Sequence, residues 1–479
     1  MMEITETLSY DDVLLLPSYS DTLPGEVDIK SRLCGDIVLK TPILSAAMDT
    51  VTEERLAIAM ALQGGAGVIH RNLLPEEQAR QVGSVKRSLN WIIDKPITVD
   101  RNMTIDDVKS IKAKYKISGL PVVDDNNKLC GIITKRDMRF CSDLSLKVHE
   151  VMTANPVIAD EQIDIKGAVA LFDKHKIEKI PVVDKNGFVT GLITVKDLEK
   201  QEQYPNAAMD RRGRLIVGAA ISPQDWERRI PLLMENSVDF VVLDTAHGDS
   251  SSVVKAVQDI KRKYSINVIG GNVATAEGTK RIIDAGADAV KIGIGPGSIC
   301  TTRIVSGIGV PQFTAVQWCA EEALKHNIPI IADGGIKFSG DITKAICAGA
   351  STVMLGNLLA GLKEAPGQAI IYDGRMFKSY RGMGSIGAIK EGSGDRYQMK
   401  AGDEPVPEGI EGRVPYKGEL KPFLHQLSTG LRKGMFYCGC KSIKELREYE
   451  KFAKISPAGL LESHAHDIMI TQEAPNYSR

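Results

Sequence analysis

Charge of one sign is what this chain most clearly lacks: 60 lysines and arginines stand against 61 aspartates and glutamates, a net charge of −1. A sum so near zero argues against nucleic acid or an anionic membrane as the main partner, since both select for a basic surface. Long apolar runs are missing too. Stretches such as LIVGAAI fall far short of the roughly 20 apolar residues that cross a bilayer. The first residues, MMEITETLSYDDVLLLP, lack the basic start and apolar core of a secretory signal, so a cytoplasmic protein is expected. Eight cysteines, at 34, 130, 141, 300, 319, 347, 438 and 440, are too scattered for a disulfide framework. Cys438 and Cys440 form Cys-Gly-Cys, but no second pair at metal-ligand spacing accompanies them, which favours ordinary buried thiols. What remains is the balance of a globular protein, 43% hydrophobic and 25% charged, and at 479 residues too long for one ordinary domain.

One segment repeats. ISGLPVVDDNNKLCGIITKRDM (117–138) aligns without a gap on IEKIPVVDKNGFVTGLITVKDL (177–198), matching Pro121 to Pro181, Gly131 to Gly191, Thr134 to Thr194 and Asp137 to Asp197. Each copy reads as a helix, a strand, a polar turn, a second strand, and a helix beginning near Lys-Arg-Asp or Val-Lys-Asp. Two copies of a small unit bury a shared face that neither buries alone. The pair resembles a tandem CBS-domain module, expected over residues 92–203 with copies at about 92–150 and 151–203.

Outside the repeat, strand-like runs alternate with helical patterns. The candidates begin at Pro42, Ala66, Leu215, Phe240, Asn267, Ala289, Ile328 and Thr352, which makes eight. Buried parallel strands read as continuous β-branched runs, and eight strand–helix units suit an α/β fold, a (β/α)8 TIM barrel. A doubly wound open sheet is the alternative, but no dinucleotide glycine fingerprint opens a helix. The repeat is then an insertion between the second and third strands, with the catalytic barrel expected over 1–91 and 204–479.

In such a barrel, chemistry sits where strands end. GIGPGSICTTR (293–303) follows the run AVKIG, and its glycines and proline allow backbone groups to turn inward. Cys300 lies on that loop with Thr301, Thr302 and Arg303 after it, a polar, partly cationic setting that suits a nucleophilic thiolate; a buried structural thiol is the other reading. Asp333-Gly334-Gly335 ends the seventh strand and Gly356-Asn357 the eighth, the two places where barrels commonly hold phosphate.

The loop GIGPGSICTTR is similar to the catalytic loop of the IMP dehydrogenase / GMP reductase family, and the likeness extends over essentially the whole chain. It includes LSYDDVLLLP, TPILSAAMDTVTE, DGGIKFSGDITKAICAGA, YRGMGSIGA, VPEGIEGRVPYKG and ESHAHDIMITQEAPNY. The resemblance implies that Cys300 attacks carbon 2 of the IMP purine, that hydride leaves for NAD, and that water releases XMP from the thioimidate. It assigns Arg396 and Tyr397 to water activation from a mobile flap (about 385–418), with Thr302 orienting the water. It gives Asp333 to the ribose hydroxyls. Ser298, Gly334, Gly335, Gly356, Asn357, Tyr380, Arg381, Gly382, Met383 and Gly384 go to phosphate and base, and Glu408 to the base. Asn357 stands where family members often carry serine. Asp244, Asn272, Gly293, Ile294 and Gly295 are assigned to NAD. A potassium site is implied at the carbonyls of Gly295, Gly297 and Cys300, completed by Glu462, Ser463 and His464 of a neighbouring subunit, which favours a homotetramer. Thr134, Asp137, Thr194 and Asp197 match ribose-holding positions for adenine or guanine nucleotides, though helix-cap chemistry explains them as well.

Three alternatives stay open at this stage. A GMP reductase shares the barrel and the cysteine loop but not the arginine–tyrosine flap; Gln398 stands where many dehydrogenases have phenylalanine, and the flap is short. An FMN barrel is the second, since DGGI…AGA…VMLG also resembles flavin-phosphate strands. A catalytically silent nucleotide sensor built around the repeat is the third.

Overall fold

The computed structural model describes residues 4–115, 117–393, 404, 406–472, 474, 476 and 477. Eight parallel strands close into a barrel: β1 (Ile43–Ser45), β2 (Ala66–Ile69), β3 (Val217–Ile221), β4 (Phe240–Leu243), β5 (Asn267–Val273), β6 (Ala289–Ile292), β7 (Ile330–Asp333) and β8 (Thr352–Leu355), with β8 pairing β1. Nearly every strand residue is buried, as the continuous apolar runs require. Leu44, Val68, Ala220, Val242, Ile269, Ala289, Ile331 and Met354 meet in one core cluster.

Three strands start later than their apolar runs. Pro42 has no N–H for the ladder, and β1 begins after it at Ile43. Leu215 forms an isolated bridge with Met209 and Ile216 N–H donates to the Ala208 carbonyl, so β3 begins at Val217. Pro329 has no N–H for the ladder, and β7 begins after it at Ile330.

The outer helices present one apolar stripe to the barrel. Helix Ser251–Lys263 buries Val253, Ala256, Val257 and Ile260 at i, i+3, i+4 and i+7 and ends in Lys261, Arg262 and Lys263, which complement the helix dipole. Full burial of a Val257 or an Ile260 contributes roughly 1.5–3 kcal/mol. Thr275 caps helix Ala276–Asp284 by accepting from Gly278 N–H.

The chain divides into two compact units. One is the barrel, assembled from residues up to Ser88, Asn206–Asp210 and from Leu215 onward; the other comprises Leu89–Pro205 and Arg211–Arg214. The smaller unit holds two four-stranded sheets. The first copy pairs Gly119–Val123 with Leu129–Thr134, and the second pairs Lys179–Val183 with Val189–Thr194, each with a register shift at its Val-Val step. Each copy keeps its own apolar core, around Ile105 and Val122 in the first and Phe172 and Val182 in the second.

The copies differ at one end. The expected closing helix forms in the second copy (Val195–Glu202), but residues 135–140 of the first form only successive turns. Leu-Glu-Lys-Gln-Glu propagates a helix, whereas Cys141-Ser142-Asp143 stops one, with Asp143 accepting from the Ser145 N–H and hydroxyl. Among the described residues no helix is long and apolar enough to cross a membrane.

Candidate active site

The carboxyl ends of the barrel strands open onto a cavity of ≈ 370 Å³. Cys300 lines it, on the loop after β6. Its thiol is half-buried, its N–H donates to the Gly297 carbonyl at 3.1 Å, and its Sγ lies 3.1 Å from the Thr302 hydroxyl. That hydroxyl donates to Glu408 Oε2 at 2.7 Å, so sulfur, hydroxyl and carboxylate form a chain. Burial instead pushes the Cys319 and Cys347 thiols up to about 12 and those of Cys438 and Cys440 to about 11. Those four are inert packing groups.

Backbone bonds lock the cysteine loop to the far arm of the expected flap. Cys300 bridges Gly409, Thr301 N–H donates to the Glu408 carbonyl at 3.0 Å, and Ile410 N–H donates to the Ile299 carbonyl at 3.0 Å. Arg303 turns beneath the same loop, donating to the carbonyls of Ile294 at 3.2 Å and Val310 at 2.5 Å. Burial holds its guanidinium below the ordinary value.

The floor carries a group that the sequence reading passed over. Lys291, inside β6 and 2% exposed, donates to Asp333 Oδ2 at 2.6 Å, to Asn272 Oδ1, and to Asp244 Oδ1 at 3.4 Å. Asn272 Nδ2 donates to the Gly293 carbonyl at 2.8 Å and to Asp333 Oδ2 at 2.9 Å. Asp333 Oδ2 is thereby doubly held, and the residue itself lines the cavity. Gln312 Nε2 ties β6 to β7 by donating to the carbonyls of Ile292 at 2.9 Å and Asp333 at 3.1 Å. The close approach explains Gly293, where a Cβ would stand 2.3 Å from the Asp333 carbonyl. Gly334, at φ +91°, packs against Pro296.

Ser298, Gly334, Gly335, Gly356, Asn357 and Tyr380 also line the cavity. Tyr380 is pushed up to about 12, mainly by burial, with an opposing hydrogen bond from Ser298. Gly382, Met383, Gly384, Glu408, Asp244, Ile294 and Gly295 line it as well. Ser9, Tyr10 and Met48 are further lining residues that carried no signal beyond their motifs.

Several expected residues stand elsewhere or are otherwise engaged. Arg381 does not line the cavity; its guanidinium pairs with Asp49 at 2.7 Å and with Glu391. Both amide hydrogens of Asn272, expected to serve NAD, are used within the protein. Glu408, expected on the base, holds the Thr302 hydroxyl. Glu462, Ser463 and His464 do not line the cavity of their own chain: Ser463 Oγ donates to Gly459, and His464 lies 3.1 Å from the Tyr477 hydroxyl. Arg396 and Tyr397 fall outside the described residues. In the smaller unit, Asp137 Oδ2 accepts from Thr134 N–H and hydroxyl at 2.7 Å, and Asp197 Oδ2 accepts from the Thr194 hydroxyl at 2.6 Å, which is turn chemistry in both copies.

A half-buried thiol, a carboxylate held by a buried lysine and a run of glycines lining one barrel mouth invite comparison with known proteins. The family model described as IMP dehydrogenase / GMP reductase domain matches residues 7–466. Inosine-5'-monophosphate dehydrogenase of Aquifex aeolicus is 56% identical over 481 residues, 99% of this chain and 98% of the relative. The enzymes of that name from Halalkalibacterium halodurans and Bacillus subtilis are 54% and 52% identical at the same coverage. A solved structure of a cysteine-to-alanine GMP reductase from Trypanosoma brucei with guanosine 5'-monophosphate aligns with a TM-score of 0.83 at 40% identity, covering 97% of this chain and 99% of that one. The chain belongs to the IMP dehydrogenase / GMP reductase family.

Proposed function

We infer that the chain catalyses the NAD-dependent oxidation of IMP to XMP, a step toward guanine nucleotides. The observation that carries this reading is the half-buried Cys300 thiol in hydrogen-bond reach of Thr302, on the wall of a nucleotide-sized cavity. The relatives at 52–56% identity over nearly their full length support the dehydrogenase over the reductase.

In this reading Asp333 Oδ1 accepts from the ribose hydroxyls while Lys291 and Asn272 hold its other oxygen. Backbone amides at Gly334, Gly335, Gly356 and Asn357, with Ser298 and Tyr380, hold the phosphate. Cys300 Sγ forms a bond to carbon 2 of the purine, and that carbon loses hydride, leaving a thioimidate. NAD supplies the hydride acceptor, and Asp244, Ile294 and Gly295 line the side of the cavity where it would lie. Water then adds to carbon 2, the carbon–sulfur bond breaks, and the thiol takes back its proton. The Thr302 hydroxyl donates to Glu408, so its oxygen is free to accept a proton from the thiol or from that water and pass one to the carboxylate.

Arg396 and Tyr397 complete the water step. Arg396→Ala is expected to slow it by about 10²–10³-fold while leaving hydride transfer nearly intact. A pre-steady-state burst of NADH followed by slow turnover checks this; equal slowing of both phases rejects the assignment.

A potassium ion fits the cysteine loop as half of a site. The carbonyls of Gly295, Gly297 and Cys300 lie on one turn-rich stretch, and Gly297 already accepts one N–H from Cys300. Glu462, Ser463 and His464 of a second copy would supply the other half, in a homotetramer. The smaller unit is read as a tandem CBS module, with Thr134, Asp137, Thr194 and Asp197 beside its nucleotide sites. Eight free thiols suit the reducing cytoplasm.

Assaying IMP with NAD against GMP with NADPH tests the whole reading. NADH formation from IMP is expected, raised by potassium. Ammonia release from GMP with NADPH, and none of the first reaction, would assign the chain to the reductase.

A further inference from the structure

A substrate that carries a doubly charged phosphate needs positive charge, yet the barrel mouth offers mostly the opposite sign. Among the described residues that line the cavity, Asp11, Asp244, Asp333 and Glu408 are carboxylates, against three cations, Lys291, Arg303 and Lys337. Two of those cations are committed. Lys291 is buried against Asp244 and Asp333, and Arg303 donates to the carbonyls of Ile294 and Val310 beneath the cysteine loop. Backbone amides and the hydroxyls of Ser298 and Tyr380 supply hydrogen bonds but no full positive charge. Lys337 is the cation left over.

Lys337 follows Gly334 and Gly335 on the loop after β7, and its Nζ pairs with Asp11 Oδ2 of the amino-terminal segment. The two ends of this pair differ in freedom. Asp11 sits in the short turn Tyr10–Asp12, which is fastened on several sides. Leu8 N–H donates to the Thr314 hydroxyl at 2.8 Å, Thr314 N–H returns a bond to the Leu8 carbonyl at 3.2 Å, and Lys344 Nζ donates to the Tyr10 carbonyl at 2.8 Å. Tyr10 itself is buried. The backbone of Lys337 is held too, its N–H donating to Asp341 Oδ2 at 2.9 Å, but its ammonium rides on a flexible four-carbon stem. With side chains 55% and 35% exposed, Lys337 and Asp11 hold each other weakly. A more highly charged oxyanion draws the ammonium away, since a charge-assisted bond to phosphate is the stronger one.

We propose that Lys337 is a substrate-binding residue that exchanges Asp11 for the phosphate of the nucleotide, with Asp11 as the competitor that holds the cation while the site is empty. The proposal rests on the reading of the barrel mouth as an IMP site and adds the one full positive charge which that reading lacked. In the empty site the pair neutralises itself, so a ligand without phosphate gains nothing from it. As the product leaves, the ammonium returns to Asp11, and the affinity for nucleotide is lower than a free lysine would give.

IMP binding to the full-length protein is measured calorimetrically at several salt concentrations. Lys337→Met should weaken IMP by about tenfold or more and flatten the fall of affinity with salt. Lys337→Arg keeps affinity within about threefold, because phosphate reads lysine as a point charge. Asp11→Asn acts in the opposite direction and tightens IMP by about two- to fivefold, a sign that loss of a purely structural ion pair does not give. In turnover with NAD, Lys337→Met raises KM and leaves kcat within about twofold, as for an interaction made equally in ground and transition states. The inhibition constant of inosine, read against IMP turnover, should not move in that variant. Unchanged IMP affinity in Lys337→Met, or equal losses for IMP and inosine, overturns the phosphate role while NADH formation from IMP by the parent keeps the reading of the site. Weaker IMP binding in Asp11→Asn overturns the exchange. A parent protein that binds no IMP removes the proposal together with that reading.

Discussion

Cys300→Ala abolishes NADH formation from IMP, by on the order of 10³-fold or more, while IMP still binds. The thiol is the one cysteine among the described residues that line the cavity, and in the proposed mechanism splitting the oxidation through its bond to carbon 2 is what makes each half accessible. Binding, in the proposed reading, draws instead on Asp333, the cavity-lining glycines and Tyr380, none of which the substitution replaces. Intact-protein mass spectrometry of enzyme quenched during turnover should show an added nucleotide in the parent and none in the variant. Retained turnover in the variant would sink the covalent mechanism. The neighbouring thiols offer no rescue, because burial keeps Cys319 and Cys347 protonated with values near 12.

Lys291→Met is the second large effect. The substitution leaves Asp333 and Asp244, with side chains 19% and 7% exposed, without their shared ammonium. Removing one partner from a buried ionic group costs about 3–5 kcal/mol. A lowered melting temperature and a KM for IMP raised by about 10–100-fold are expected, since Asp333 loses a strong charge-assisted bond that orients it. A purely structural role is separated by adding Asp244→Asn to Lys291→Met. The second change relieves one stranded charge and recovers part of the melting temperature, yet Asp333 still lacks its support and KM stays high. Recovery of both together, or an unchanged KM in the single variant, counts against the positioning role.

How much of this could be read from the chain follows from how local each signal is. The eight barrel strands were visible because a strand buried on both faces is an uninterrupted apolar run, and only Pro42, Pro329 and the Leu215–Met209 bridge moved a start. The cysteine loop was visible as a cluster of turn residues after such a run. Lys291 was legible as an anomaly, a charge inside AVKIG, but its partners lie 47, 19 and 42 residues away and only the closed barrel brings them together. Arg381 shows the same limit: nothing near it announces that Asp49, 332 residues earlier, will take its guanidinium. The repeat identified two like units, but not that Lys179 of the second copy would pack against Gly119 of the first.

The seam between Ile299–Thr301 and Glu408–Ile410 has a mechanical consequence. The nucleophile and the root of the covering segment are joined by three backbone contacts, so neither shifts without dragging the other. In the proposed reaction, a sulfur drawn toward the purine would pull on Gly409 through that bridge. The sulfur and the chain on the far side of the expected flap thus answer, in that reaction, to one mechanical unit.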